Sequence, residues 1–203
     1  MYIQAIIKPE ALWSEQRKVS ISWIDQLKSH ILPVVAIVAI LSGILSMVFG
    51  FRIPTIGVIR PSVSDMFLHM AGSVVMYTIS IVILGWLVAY LAGIFGGKNE
   101  MNKSVLMLFL ISIPTLAGQV LGTLPYAGGM LSLGLGIYAV ILLYKAVHVF
   151  LEVPMKNRVK HFILFFLASF VFSALLGMTF GKLFAPSSIY KQIEERIPMA
   201  KQF

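Results

Sequence analysis

Ser104 to Tyr144 reads SVLMLFLISIPTLAGQVLGTLPYAGGMLSLGLGIYAVILLY, 41 residues without one Asp, Glu, Lys or Arg. As a single helix rising about 1.5 Å per residue it would be roughly 60 Å long, twice the ~30 Å hydrocarbon core of a bilayer. It therefore folds back on itself. The break is legible as Leu124-Pro125-Tyr126-Ala127-Gly128-Gly129, where proline removes a backbone donor and glycine permits a tight turn.

Three further charge-free runs flank this one. Ile31 to Phe51 has 21 residues, Met66 to Gly97 has 32 and Phe162 to Gly181 has 20. About 20 apolar residues cross a bilayer once, so the first and last are single spans. The 32-residue run is one span near 74–96, led in by a helical segment starting near Ser64, an N-cap residue type. The count predicts an all-α integral membrane protein. It is a five-transmembrane-helix bundle, with spans near 31–51, 74–96, 105–124, 128–150 and 162–182. Continuous apolar runs without strict alternation argue against a barrel.

Composition agrees. The 203-residue chain is 59% hydrophobic and only 12% charged, where a soluble domain carries about 25%. The absence of cysteine removes thiol chemistry, disulfides and cysteine-based zinc sites. The net charge of +8 suits a protein facing anionic lipid, and no compact basic and aromatic surface points to nucleic acid. The first 30 residues hold seven charges and no leading apolar core, unlike a cleaved signal peptide.

Lysine and arginine counts set the orientation. With the N-terminus inside, ten lie on the cytoplasmic side and six outside, which favours N-in, C-out. The reading divides the chain into a cytoplasmic or interfacial segment at 1–30, a five-helix domain at 31–184 and a short tail at 185–203. Within the first, Trp23, Ile24, Leu27 and Ile31 share a helical face, as in an amphipathic helix lying in the headgroup layer; a partner-binding helix is the alternative.

Every span carries small residues at four-residue spacing, which lets helices approach in lipid. The last ridge, Ser169, Ser173, Gly177 and Gly181, has no following helix to cover it, so this face is expected to pack against a helix of the same chain or of a partner.

Polar groups are few. Lys145, His148 and Glu152 fall at spacings of three and four, as in an ion-pair stripe near the boundary or a proton or ion relay. Asp65 and His69 open the second span, two ligands where a metal needs more; a carboxylate favoured by the helix dipole also explains Asp65. Gln119 is placed for an interhelical hydrogen bond or for a pathway, and Pro114 for a kink near Ser112. No Ser/His/Asp order, phosphate loop or metalloprotease helix is present in the spans, so neither an enzyme, a cofactor nor a metal is predicted.

The order of several short motifs resembles the Yip1 family, as a small bacterial-type member. They are Lys8-Pro9-Glu10-Ala11-Leu12-Trp13; the loop Gly96-Gly97-Lys98 onward to Ser104; Ile111-Ser112-Ile113-Pro114, with Ile111 where the family has Tyr; and Tyr138 to Tyr144 followed by Val153-Pro154. The likeness covers about 5–184. It implies five spans, a cytosolic N-terminus and a short exoplasmic C-terminus. Eukaryotic relatives are Golgi and endoplasmic reticulum proteins linked to Rab GTPases. This chain lacks their long N-terminal region and Asp-Leu-Tyr-Gly-Pro element, so GTPase binding is not carried over, and a bacterial cytoplasmic membrane is the expected location.

Two functions follow as expectations. One is a non-catalytic scaffold or accessory partner that contacts lipid and other membrane proteins, or itself as a homo-oligomer. The other is a small transporter, channel or lipid-moving protein with a pathway near Gln119 and the Lys145, His148, Glu152 face.

Overall fold

A computed structural model describes residues 2–18, 21–53, 57–180 and 184. Five helices are long and apolar enough to cross a membrane: α3 (Trp23–Phe49), α4 (Val63–Ile94), α5 (Met101–Leu121), α6 (Gly128–Leu151) and α7 (Met155–Phe180). They are preceded by two short helices, α1 (Tyr2–Ile7) and α2 (Pro9–Gln16). An unanticipated antiparallel ribbon, β1 (Phe51–Ile53) and β2 (Gly57–Ile59), pairs Phe51 with Ile59 and Ile53 with Gly57. It follows Gly50, whose positive φ of +70°, which glycine adopts readily, ends α3.

Boundaries differ from the sequence reading in two places. The face of Trp23, Leu27 and Ile31 is not on a separate helix but on the first turns of α3, and Ile31 is buried. The junction is a π-turn at Leu27–Ile31, just ahead of Pro33. Proline lacks an N–H and its ring crowds the carbonyl four residues back, so a wider turn lets the helix continue. In α4 the cap is Ser62 rather than Ser64: its hydroxyl accepts from the Asp65 amide at 3.1 Å. The helix then runs unbroken for 32 residues, roughly 48 Å, so it tilts in or extends beyond a ~30 Å core.

The helix α5 is the axis of the bundle. Every residue from Ser104 to Ile111 is buried, as expected of a helix apolar on all sides. Of its most apolar window 67% is buried, against 11% for α7. It forms a close hairpin with α6. A Cβ on Gly128 would stand 2.6 Å from the Gly122 carbonyl, so the turn demands glycine there.

Small-residue ridges account for much of the packing. Gly43 of α3 faces Met66 and Met70, Gly85 of α4 faces Val105, and Gly118 and Gly122 of α5 face Ser132. Some small residues face no helix: among the described residues a Cβ on Gly129, Gly134 or Gly136 of α6, or on Gly177 of α7, would meet nothing within 4 Å, and Ser173 is exposed. Gly181 lies outside the described residues.

Candidate functional site

The densest polar organisation lies where the α4–α5 and α6–α7 connections meet. After α4, Gly96 takes φ +82° and turns the chain inward. Gly97 then passes against the end of α6: a Cβ there would stand 2.5 Å from the Leu151 carbonyl and 2.8 Å from Val153. The Lys98 amide donates to that same Leu151 carbonyl at 2.7 Å. Pro154 covers Gly96, and Asn157 Nδ2 donates to the Phe95 carbonyl at 2.9 Å. Residues 58 positions apart along the chain, Gly96 and Pro154, thus belong to one structural knot.

Three of the sequence-predicted polar residues lie at this end, but not as a single stripe. Glu152 leaves the helix in a left-handed conformation with φ +54°, and its carboxylate meets Lys98 Nζ at 2.7 Å. His148 Nδ1 is 2.9 Å from the Val153 carbonyl. Lys145 reaches Glu10 of α2 at 2.9 Å. Each has its own partner, so they do not form a chain of adjacent groups. The Lys98 hydrogen bond holds the Glu152 carboxyl below its usual value, and Glu152 holds Lys98 above its own.

The same end receives the N-terminal helices. Trp13 is 1% exposed and edge-on to Phe150, with ring centroids 6.2 Å apart. The Tyr138 hydroxyl donates to the Ile6 carbonyl at 2.8 Å, and Ala5 is buried. Asn102 accepts from the Trp23 amide at 2.9 Å and its carbonyl accepts from Gln26 Nε2. The Pro-x-x-x-Trp preamble, on α2, is therefore clamped to the end of α6 through Trp13 and Glu10, while Trp23 and Gln26 tie the start of α3 to α5.

Two polar groups of α7 escaped the sequence reading. His161 is fully buried, with Nε2 3.2 Å from the Val88 carbonyl and its ring stacked on Phe165. Arg158 is buried against the Tyr144 ring, 5.0 Å from its centroid. In that reading Arg158 figures only within the lysine and arginine count and His161 not at all; their spacing of three, just before an apolar run, was the available signal.

Within the bundle, Ser112, two residues before Pro114, is paired with the Tyr77 hydroxyl and donates to the Phe109 carbonyl at 2.8 Å. At the opposite end, Gln119 and His69 border a cavity of about 780 Å³ shared with Ser42, Ser46 and the hairpin. Ser42 is buried there, and its hydroxyl has no hydrogen-bond partner among the described residues. Asp65 is buried one turn before His69 in α4. Among the described residues, no cluster of three or more His, Cys, Asp or Glu is placed to hold a metal.

A family model described as "Yip1 domain" matches residues 3–178. Neither the curated proteins nor the solved structures provide a match. The matched span runs from within α1 to the last turn of α7 and takes in every part of the knot.

Proposed function

The chain belongs to the Yip1 domain family, and from that premise we propose that it is a non-catalytic integral membrane protein acting as a scaffold or accessory partner in membrane organisation or traffic-like processes. The family is tied to membrane traffic and is in general non-enzymatic. The observation carrying this reading is the packing of α5. Gln119 lies near one end of that helix, and the Lys145, His148 and Glu152 groups lie near the opposite end of its hairpin partner. Ser132, beside Gly118, and Lys145 are 13 residues apart on α6, roughly 20 Å. Over the half of that interval nearer Lys145, from Ser104 to Ile111, α5 is buried on all sides, which favours a packed bundle over a continuous conduit. Its flank, chiefly α7, presents apolar side chains such as Phe170 and Met178 outward to lipid or to other membrane proteins.

The alternative, a small transporter, channel or lipid-moving protein, draws support from the cavity that reaches Gln119 and His69. We place the protein in a bacterial cytoplasmic membrane with the knot and the N-terminal helices on the cytoplasmic side, as the lysine and arginine count favours. Photo-crosslinking groups at Phe170 and Met178 in cells are expected to give discrete protein adducts. Purified protein in vesicles is expected to pass neither solutes nor lipids faster than protein-free vesicles. Flux that depends on the protein and is lost in Gln119→Ala would overturn the scaffold reading in favour of transport.

A further inference from the structure

Between α4, α5, α6 and α7 lies a cavity of about 270 Å³, whose Thr115, Gly136 and Val140 edge is shared with a second space that reaches Gln119. Tyr77 is the fifteenth of the 32 residues of α4, Ser112 the twelfth of the 21 of α5, and Phe165 the eleventh of the 26 of α7. These three border the space with Ile81 and Leu143, so it sits near mid-height of the bundle. It opens sideways between α6 and α7, where Val140 and Phe166 on its rim are exposed.

The chemistry of the wall excludes most occupants. Among the described residues, no ionisable side chain other than the Tyr77 phenol borders it. Ser112 spends its one hydrogen on the Phe109 carbonyl, so it accepts from Tyr77, and neither donor is left over. Ser80 alone offers a hydroxyl without a hydrogen bond to the described residues. The lone pairs of its hydroxyls, Tyr77, Ser80, Ser112, Thr115 and Ser169, would hold a water only on their own side, and the rest of the wall is apolar, so water would fill this space poorly. Left empty, its walls would forfeit dispersion contacts. Neither outcome suits a lateral opening at this depth, roughly 15–20 Å from the helix ends, where a bilayer presents only hydrocarbon.

We infer that this cavity is a binding site for a single acyl chain of a bilayer phospholipid, which enters between α6 and α7 with its headgroup remaining at the membrane surface. Size fits that occupant. A cavity of about 150 Å³ holds a benzene molecule, so this one takes on the order of ten carbon atoms. A helix from a partner, about 10 Å across, is too wide.

The test uses full-length protein in vesicles of phosphatidylethanolamine and phosphatidylglycerol containing a trace of phosphatidylcholine with a photoreactive diazirine in one chain. A mid-chain diazirine is expected to label cavity residues such as Ile81, Leu143 and Phe165 as well as the lipid-facing Phe170 and Met178. A diazirine beside the headgroup is expected to leave the cavity residues unlabelled. Ala139→Phe, which fills the cavity from α6, is expected to abolish the cavity label and keep the Phe170 and Met178 label. Gly136→Leu is the second filling variant; a Cβ at Gly136 meets nothing within 4 Å, so its fold is not at risk from crowding. Labelling confined to Phe170 and Met178 in the unaltered protein would overturn the proposal. So would cavity labelling that survives in whichever filling variant folds, or labelling of the cavity by the headgroup probe.

Discussion

Gly97 and Leu151 are in backbone contact: the glycine has no room for a Cβ, which would stand 2.5 Å from the Leu151 carbonyl, and the next amide, Lys98, donates to that oxygen at 2.7 Å. This contact ties the loop after α4 to the end of α6. It explains why a Gly-Gly loop and a Val-Pro exit occur together in one chain, since each is the other's packing surface. Gly97→Ala is therefore expected to destabilise the protein by about 1–3 kcal/mol, the usual cost of overpacking. Thermal unfolding in detergent checks it. Gly96→Ala is expected to lose about 1–2 kcal/mol by another route, the left-handed backbone, because Pro154 at 3.7 Å leaves it space.

The exposed Lys98–Glu152 pair sits on the same loop and gives a pH signature. The Glu152 carboxyl is lowered from its ordinary value of 4.5, chiefly by the hydrogen bond from Lys98. Its contribution is complete above that value and is lost as pH falls through the depressed folded one. Lys98 is raised from 10.5, so its contribution is complete below that value and is lost as pH rises through the raised one. Amide exchange at Lys98, corrected for the intrinsic rate, is expected to lose protection at both extremes. In Glu152→Gln both limbs should flatten; equal limbs in the variant would show that the pair does not hold the loop.

Glycines in two helices should behave oppositely. Gly85→Leu drives a side chain into Val105, 2.7 Å from where its Cβ would lie, and is expected to cost about 1–3 kcal/mol. Gly177→Leu meets open space and is expected to keep the folded yield and raise stability by up to about 1 kcal/mol, because glycine is a poor helix former. Loss of a complex in Gly177→Leu, with normal monomer, would place a partner on the α7 ridge.

Five spans place the knot and the α5–α6 hairpin on opposite sides of the membrane. Cysteines at Asn99 and at Tyr126, which is 86% exposed, are expected to react with impermeant reagent from opposite sides of sealed cells. Labelling of both from one side would refute the topology.

The spans were legible because hydrocarbon penalises every unpaired backbone group and every charge, so charge-free length alone counts helices. Pro125 and Gly128 located the hairpin for equally local reasons. The pattern along one strand of sequence could not say which polar groups meet. Lys145 and Glu152 sit at helical spacing, yet Glu152 turns out of the helix, and their partners, Glu10 and Lys98, come 135 and 54 residues earlier. Nor could periodicity tell which of five similar helices is central. Each is apolar on most sides, since lipid and protein interior select the same side chains. Only the packed bundle made α5 the buried axis, turned Trp13 and His161 inward, and left Ser173 and Gly177 of α7 facing none of the described residues.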